Sequence, residues 1–133
     1  MNVSVITVCF NSKDDLRKTL DSVLSQTYID MEYLVVDGGS SDGSVGLLRA
    51  YESKFKAKGI SFRFVSEKDK GTYDAMNKGI KMATGDYIGI LNSDDFYFDE
   101  FVIEKILKAL ENNLTDSLYG NLYYVEENNT NKE

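Results

Sequence analysis

Histidine is missing altogether from these 133 residues, which removes imidazole acid-base chemistry and most zinc sites from consideration. There is a single cysteine, Cys9, so no disulfide can form within the chain and a reducing compartment fits. No apolar run is long enough to span a bilayer, and Met1-Asn2-Val3-Ser4 lacks the basic segment and apolar core of a signal peptide. Together these absences predict a soluble, cytoplasmic chain. Positive charge is also scarce. Fifteen basic against 22 acidic residues leave a net charge of −7, and the basic residues do not cluster, which argues against a nucleic-acid binder. Neither G-x-x-x-x-G-K-[ST] nor G-x-G-x-x-G follows the first apolar run, so P-loop and dinucleotide fingerprints are absent.

What is present suffices for one domain with a core: 42% of residues are hydrophobic and 12% aromatic. Val3 to Phe10 is a β-branched, apolar run that predicts a strand covered on both faces. Ser12 and Asp15 have capping-box spacing, and Leu16, Leu20, Val23 and Leu24 follow at helical intervals. Tyr33 to Val36 predicts a second strand closed by Asp37, and Gly38 to Gly43 a loop. Leu47, Leu48, Tyr51 and Phe55 make a helical stripe ending near Gly59. Ile60 to Val65 alternates and predicts a third strand, nearer an edge.

After the charged loop Ser66 to Thr72, Tyr73 to Ala83 predicts a helix with Asp74 and Asn77 on one face. Tyr87, Ile88, Ile90 and Leu91 read as a fourth strand buried on both faces, and Gly89 within it suggests a close backbone approach. A helix capped by Asp99 and striped by Ile103, Ile106, Leu107, Leu110 and Leu114 comes next, then a last strand over Leu118 to Val125. The polar stretch 126–133 is expected to be a mobile tail. Strands alternating with helices predict an α/β fold with a mainly parallel sheet.

In such a sheet ligands bind at the carboxyl edge. Strand 1 ends in Phe10-Asn11, strand 2 in Asp37 and strand 4 in Asn92-Ser93-Asp94-Asp95, so polar and acidic groups converge there. A single acidic strand end reads equally well as a turn; several on one edge favour a site. If the ligand carries a diphosphate, Asp94 and Asp95 repel it, since like charges ~4 Å apart cost about 4 kcal/mol at an effective dielectric near 20. A divalent Mg²⁺ or Mn²⁺ reverses the sign, taking one or two carboxylates plus phosphate oxygens.

The blocks VSVITVCFNS, YLVVDGGSSDGS and SEKDKGTYDAMNKGIKMATGDYIGILNSDD resemble, in order and spacing, the N-terminal half of family 2 glycosyltransferases of the inverting, GT-A type. They cover most of residues 3–98. The resemblance implies a Rossmann-like GT-A fold, with residues 1–125 as the nucleotide-sugar-binding half. It implies a nucleotide-diphosphate sugar donor and an acceptor that is a carbohydrate or lipid-linked. Phe10 takes the position that packs on the base, with Asn11 beside it, and Asp37 that of a carboxylate bonded to a uracil-like base edge, favouring UDP- or dTDP-sugars. Asp95 takes the metal position and Asp94 that of the ribose or sugar hydroxyls. Bacterial surface polysaccharide or lipid-linked oligosaccharide synthesis, with peripheral membrane association through other regions, is the implied setting.

The chain departs from the family pattern in places. Val8-Cys9 stands where Pro-Thr is frequent, Asn92 replaces a frequent acid, and Ala75-Met76-Asn77 lacks an arginine. Phosphate neutralisation then falls to the metal or to Lys68 and Lys70, which read as ordinary solvated loop lysines. The family's general base lies well beyond the metal motif, and no carboxylate in the 38 residues after Asp95 is convincing, so the base is expected beyond residue 133 and the chain reads as a fragment. A phospho-receiver domain would need paired acids where Phe10-Asn11 stands. A non-catalytic nucleotide-sugar module shares every residue named and differs only in lacking the base.

Overall fold

Residues 2–68, 70–93 and 95–113 are described by the computed structural model. Four strands and four helices alternate: β1 (Val3–Cys9), α1 (Lys13–Leu24), β2 (Met31–Asp37), α2 (Ser44–Lys58), β3 (Ser61–Ser66), α3 (Thr72–Met82), β4 (Tyr87–Ile90) and α4 (Val102–Asn113). The strands form one parallel sheet in the order β3-β2-β1-β4. The predicted strand over Leu118 to Val125 and the tail after it lie outside the described residues.

Burial follows from the strand period of two. Val3, Val5 and Cys9 face a layer built by α1, α2 and α4, whose Leu16, Leu20, Phe55 and Leu107 join them in one cluster. Ile6 and Val8 face the opposite layer with Leu34, Val36 and Ala75 of α3. On that side α3 lies so close that a Cβ on Gly79 would sit 2.5 Å from Ile6 Cγ2, which makes glycine the residue the packing requires. Gly59 ends α2 in the left-handed region at φ +88°, with the Ile60 amide donating back to Phe55 O at 3.0 Å.

Polar groups inside the sheet are paired. Thr7 and Tyr33 share a hydrogen bond of 2.8 Å between hydroxyls. Glu32, near the amino edge, accepts from Ser4 Oγ at 2.7 Å, Thr84 N at 2.8 Å and Arg63 Nη2 at 2.7 Å, joining β1, β2, β3 and the α3–β4 connection. β3 alternates in exposure and lies at an edge, as its sequence predicts. β4 differs from expectation. Among the described residues it is the other edge strand, and Ile88 is 43% exposed rather than covered on both faces. An apolar run specifies a strand but not how many neighbours it has. No helix among the described residues is long and apolar enough to cross a membrane.

Candidate functional site

At the carboxyl edge the β1–α1 and β2–α2 loops lock together. The Gly38 amide donates to Cys9 O at 2.9 Å, Asn11 N to Ser40 Oγ at 2.8 Å, Ser41 N to Asn11 Oδ1 at 2.8 Å, and Lys13 N to Asp42 Oδ2 at 3.0 Å. Asn11 reaches this geometry with φ +47°, a conformation that asparagine tolerates better than most residues. Asn11 is therefore spent on holding the neighbouring loop. Ser12 begins α1, but its hydroxyl donates to Ser93 Oγ at 3.0 Å instead of capping the helix, so the expected capping box does not form.

Beside these loops opens a cavity of ≈ 720 Å³. Phe10 projects over it with 61% of its surface exposed, which is unusual for a phenylalanine at the end of a fully buried strand. Gly38 of the β2–α2 loop, Lys68 and Gly71 of the β3–α3 loop, and Asn92 and Ser93 beyond β4 complete the wall. Asp15, in the first turn of α1, adds a carboxylate. Lys68 is exposed, as expected of a solvated loop lysine, and both it and Asp15 line the cavity. The clue to Asp15 was its place in the first turn of a helix that begins at the carboxyl edge. Asp74 lies off the wall, accepting from Lys70 N at 3.0 Å.

Asp37 is fully buried at the end of β2. Its Oδ1 accepts from Ser40 Oγ at 2.5 Å and Cys9 Sγ at 3.3 Å, and its Oδ2 from Ser40 N at 2.8 Å, Gly39 N at 3.2 Å and Ser66 Oγ at 2.7 Å. Burial alone would push this carboxyl up, but the Ser40 hydroxyl and amide and the Ser66 and Cys9 side chains hold it below the usual range. With both oxygens engaged, Asp37 folds the loop that presents Gly38, and the expected open acceptor for a base edge is not what this geometry supplies.

The acidic loop after β4 is described on either side of Asp94, which itself lies outside the described residues. Asp95 is 6% exposed, and its neighbours Asn92 and Ser93 line the cavity. Among the described residues no three acidic or cysteine side chains gather as a metal cage. Asn92, Ser93 and Asp95 offer oxygen ligands, and a hard divalent cation arriving with a diphosphate needs just one or two protein carboxylates, so the loop fits an ion shared with a ligand.

The family model for glycosyl transferase family 2 matches residues 4–133. An uncharacterized glycosyltransferase of Mycobacterium tuberculosis (strain ATCC 25618 / H37Rv) is 41% identical over 109 residues, covering 81% of this chain and 39% of the relative. A PGL/p-HBAD biosynthesis glycosyltransferase of Mycobacterium bovis (strain BCG / Pasteur 1173P2) is 31% identical over 120 residues, 90% of this chain and 46% of the relative. The chain thus spans less than half the length of these relatives. Among solved structures, the mannosyltransferase PcManGT from Pyrobaculum calidifontis, in complex with GDP-Man and Mn²⁺, superposes with a TM-score of 0.74 at 25% identity, over 81% of this chain and 32% of that one. S. aureus TarS 1-349, in complex with UDP-GlcNAc, gives 0.73 at 22% identity, over 84% and 32%, a likeness of fold. A parallel sheet with its loops locked at the carboxyl edge and an acidic turn after β4 is thus the GT-A type of architecture, and the chain belongs to glycosyl transferase family 2.

Proposed function

We propose that these residues form the donor-binding half of a metal-assisted, inverting glycosyltransferase of hexosyltransferase type. It takes a sugar from a nucleotide-diphosphate donor and passes it to a hydroxyl of a carbohydrate or lipid-linked acceptor. The observation that carries the reading is the exposed Phe10 ring beside a cavity whose wall includes Asn92 and Ser93 of the loop after β4. An aromatic face offers a base a stacking surface, and oxygen ligands lining the same cavity suit the diphosphate and its cation. The GDP-Man and Mn²⁺ bound by the Pyrobaculum mannosyltransferase support the same arrangement here.

In this scheme Phe10 stacks on the base and the Gly38–Ser41 loop borders it through its backbone. Lys68 adds positive charge beside the phosphates, and the loop containing Asp94 and Asp95 holds the cation and the ribose or sugar hydroxyls. The cation, when bound, neutralises the leaving diphosphate. Asp37 has no acceptor to spare, so this reading no longer carries a preference for uridine or thymidine nucleotides. Activation of the acceptor hydroxyl is assigned to none of the described residues.

The experiment is titration calorimetry of UDP, GDP and CDP into the 133-residue chain with Mn²⁺ and with EDTA. Binding of at least one nucleotide that strengthens with Mn²⁺ is the expected result. No binding in either condition rejects the proposal.

A further inference from the structure

We infer that Thr19, in the middle of α1, is a positioning residue for the acidic loop that follows β4. The inference rests on the donor-site reading above.

Ser12 just precedes α1 and Gln26 just follows it, each seven residues from Thr19, which lies on one side of the helix. That side is the buried one, where Leu16, Leu20 and Val23 pack into the core. Apolar residues would serve there for packing, yet Thr19 and Gln26 are both fully buried. Each is aimed at the chain after β4. Gln26 Nε2 donates to Asp99 O at 2.7 Å, and its Oε1 accepts from Ile103 N at 3.1 Å, one of the amides that a helix N-terminus leaves without an internal partner. Ser12 reaches Ser93 through their hydroxyls. Between them, Thr19 Oγ1 meets Ser93 O at 2.9 Å and also Asp95 O, the carbonyls on either side of residue 94. Asp15 O, one turn back on α1, is a third acceptor at 3.2 Å.

A hydroxyl has one proton, so Thr19 serves these acceptors with one hydrogen. Buried carbonyls without a donor are costly, and a loop deprived of this one relaxes toward water or another amide. Any such rotation turns the side chains of Ser93 and Asp95, because both of their carbonyls meet the same atom. Partners one layer behind metal ligands typically alter metal affinity by about 10–100-fold. Thr19 occupies that place behind the loop. Valine is close to threonine in shape but replaces the hydroxyl with a methyl group that cannot donate.

The test compares Thr19→Ser, Thr19→Ala and Thr19→Val with the parent chain. Serine and alanine both lose the methyl group and differ only in the hydroxyl, so their comparison isolates it even if valine folds poorly. Mn²⁺ is titrated into each protein saturated with UDP, with a parallel series in GDP, and nucleotide affinity is measured separately in EDTA. The expected result is parent-like Mn²⁺ affinity for Thr19→Ser and a loss of about 10-fold or more for Thr19→Ala and Thr19→Val, with EDTA values unchanged. Thr27→Val, which removes a hydroxyl bonded to Glu104 Oε2 at 2.9 Å away from the loop, should leave Mn²⁺ affinity unchanged.

Hydrogen exchange on the metal-free proteins gives a second readout. The Asp95 amide, bonded to Asn92 O at 3.0 Å, should exchange faster in Thr19→Ala than in Thr19→Ser. Serine and alanine behaving alike in both measurements, or losses equal in Mn²⁺ and EDTA, overturn the inference. A parent chain whose nucleotide binding ignores Mn²⁺ overturns the metal-assisted reading of the site and this inference with it.

Discussion

Ser66 Oγ donates to Asp37 Oδ2 at 2.7 Å, joining the carboxyl ends of β3 and β2 at the point where the β2–α2 loop departs. The same oxygen accepts from the Gly39 and Ser40 amides. One carboxylate thus determines how a strand end becomes a loop, and Gly39 takes a positive φ of +88° to follow it.

Asp37→Asn replaces an acceptor with an amide that faces donors. It should weaken UDP, CDP and GDP by similar factors, because it disturbs the loop shared by all of them, at about 1–3 kcal/mol for the unpaired groups. Parallel competition titrations read this out. Selective loss of UDP alone would instead assign Asp37 to the base edge.

Phe10→Ala should weaken nucleotide binding by about 1–3 kcal/mol, the usual worth of base–aromatic stacking, while Phe10→Tyr retains most of it. A side chain this exposed contributes little to the core, so the thermal midpoint should hardly move. Equal nucleotide affinity in Phe10→Ala would place the base elsewhere in the cavity.

Glu32→Leu separates stability from binding. The substitution leaves Ser4 Oγ and the Thr84 amide without their acceptor and strips Arg63 of its carboxylate, leaving it only Met82 O among these bonds, at a cost of about 2–4 kcal/mol. Glu32 lies near the amino edge, so nucleotide affinity of the folded fraction should be unchanged. Urea denaturation with a titration below its onset tests both halves.

Acid should destabilise the fold through these two carboxylates. Burial pushes Glu32 up, but the Thr84 amide, the Ser4 hydroxyl and Arg63 outweigh it, so Glu32, like Asp37, is held below the ordinary range. A depressed folded value gives stabilisation that is complete above the unfolded value, about 4, and is lost as pH falls through the folded one. Urea midpoints measured from pH 7 down to pH 3 should drop steeply only below about pH 4. Glu32→Gln, which cannot titrate, should give a shallower profile.

Much of this was readable from residue order. The apolar runs fixed β1 and β2, the stripe from Leu47 to Phe55 fixed α2, and Gly59 marked its end, because period and capping are local properties. The cavity's composition was partly legible, in Phe10, Gly38 and the chain after β4. Partner choice was not. Nothing in the spacing of Ser12 and Asp15 revealed that Ser12 would bond Ser93, 81 residues away, or that Asp37 would be enclosed by Cys9, Ser40 and Ser66. Such pairings depend on which strands become neighbours, and that is decided by the whole sheet. That β4 is an edge strand among the described residues belongs to the same class of fact.

The cross-links among Cys9, Asn11, Lys13 and residues 38–42 join two loops, distant in sequence, into one stiff rim. A ligand settling against this rim meets a surface whose backbone is already ordered, so little chain entropy remains to be lost there on association. Enthalpy and heat capacity of nucleotide binding should then reflect the contacts formed and the water displaced, with no signature of a rim that folds around its guest.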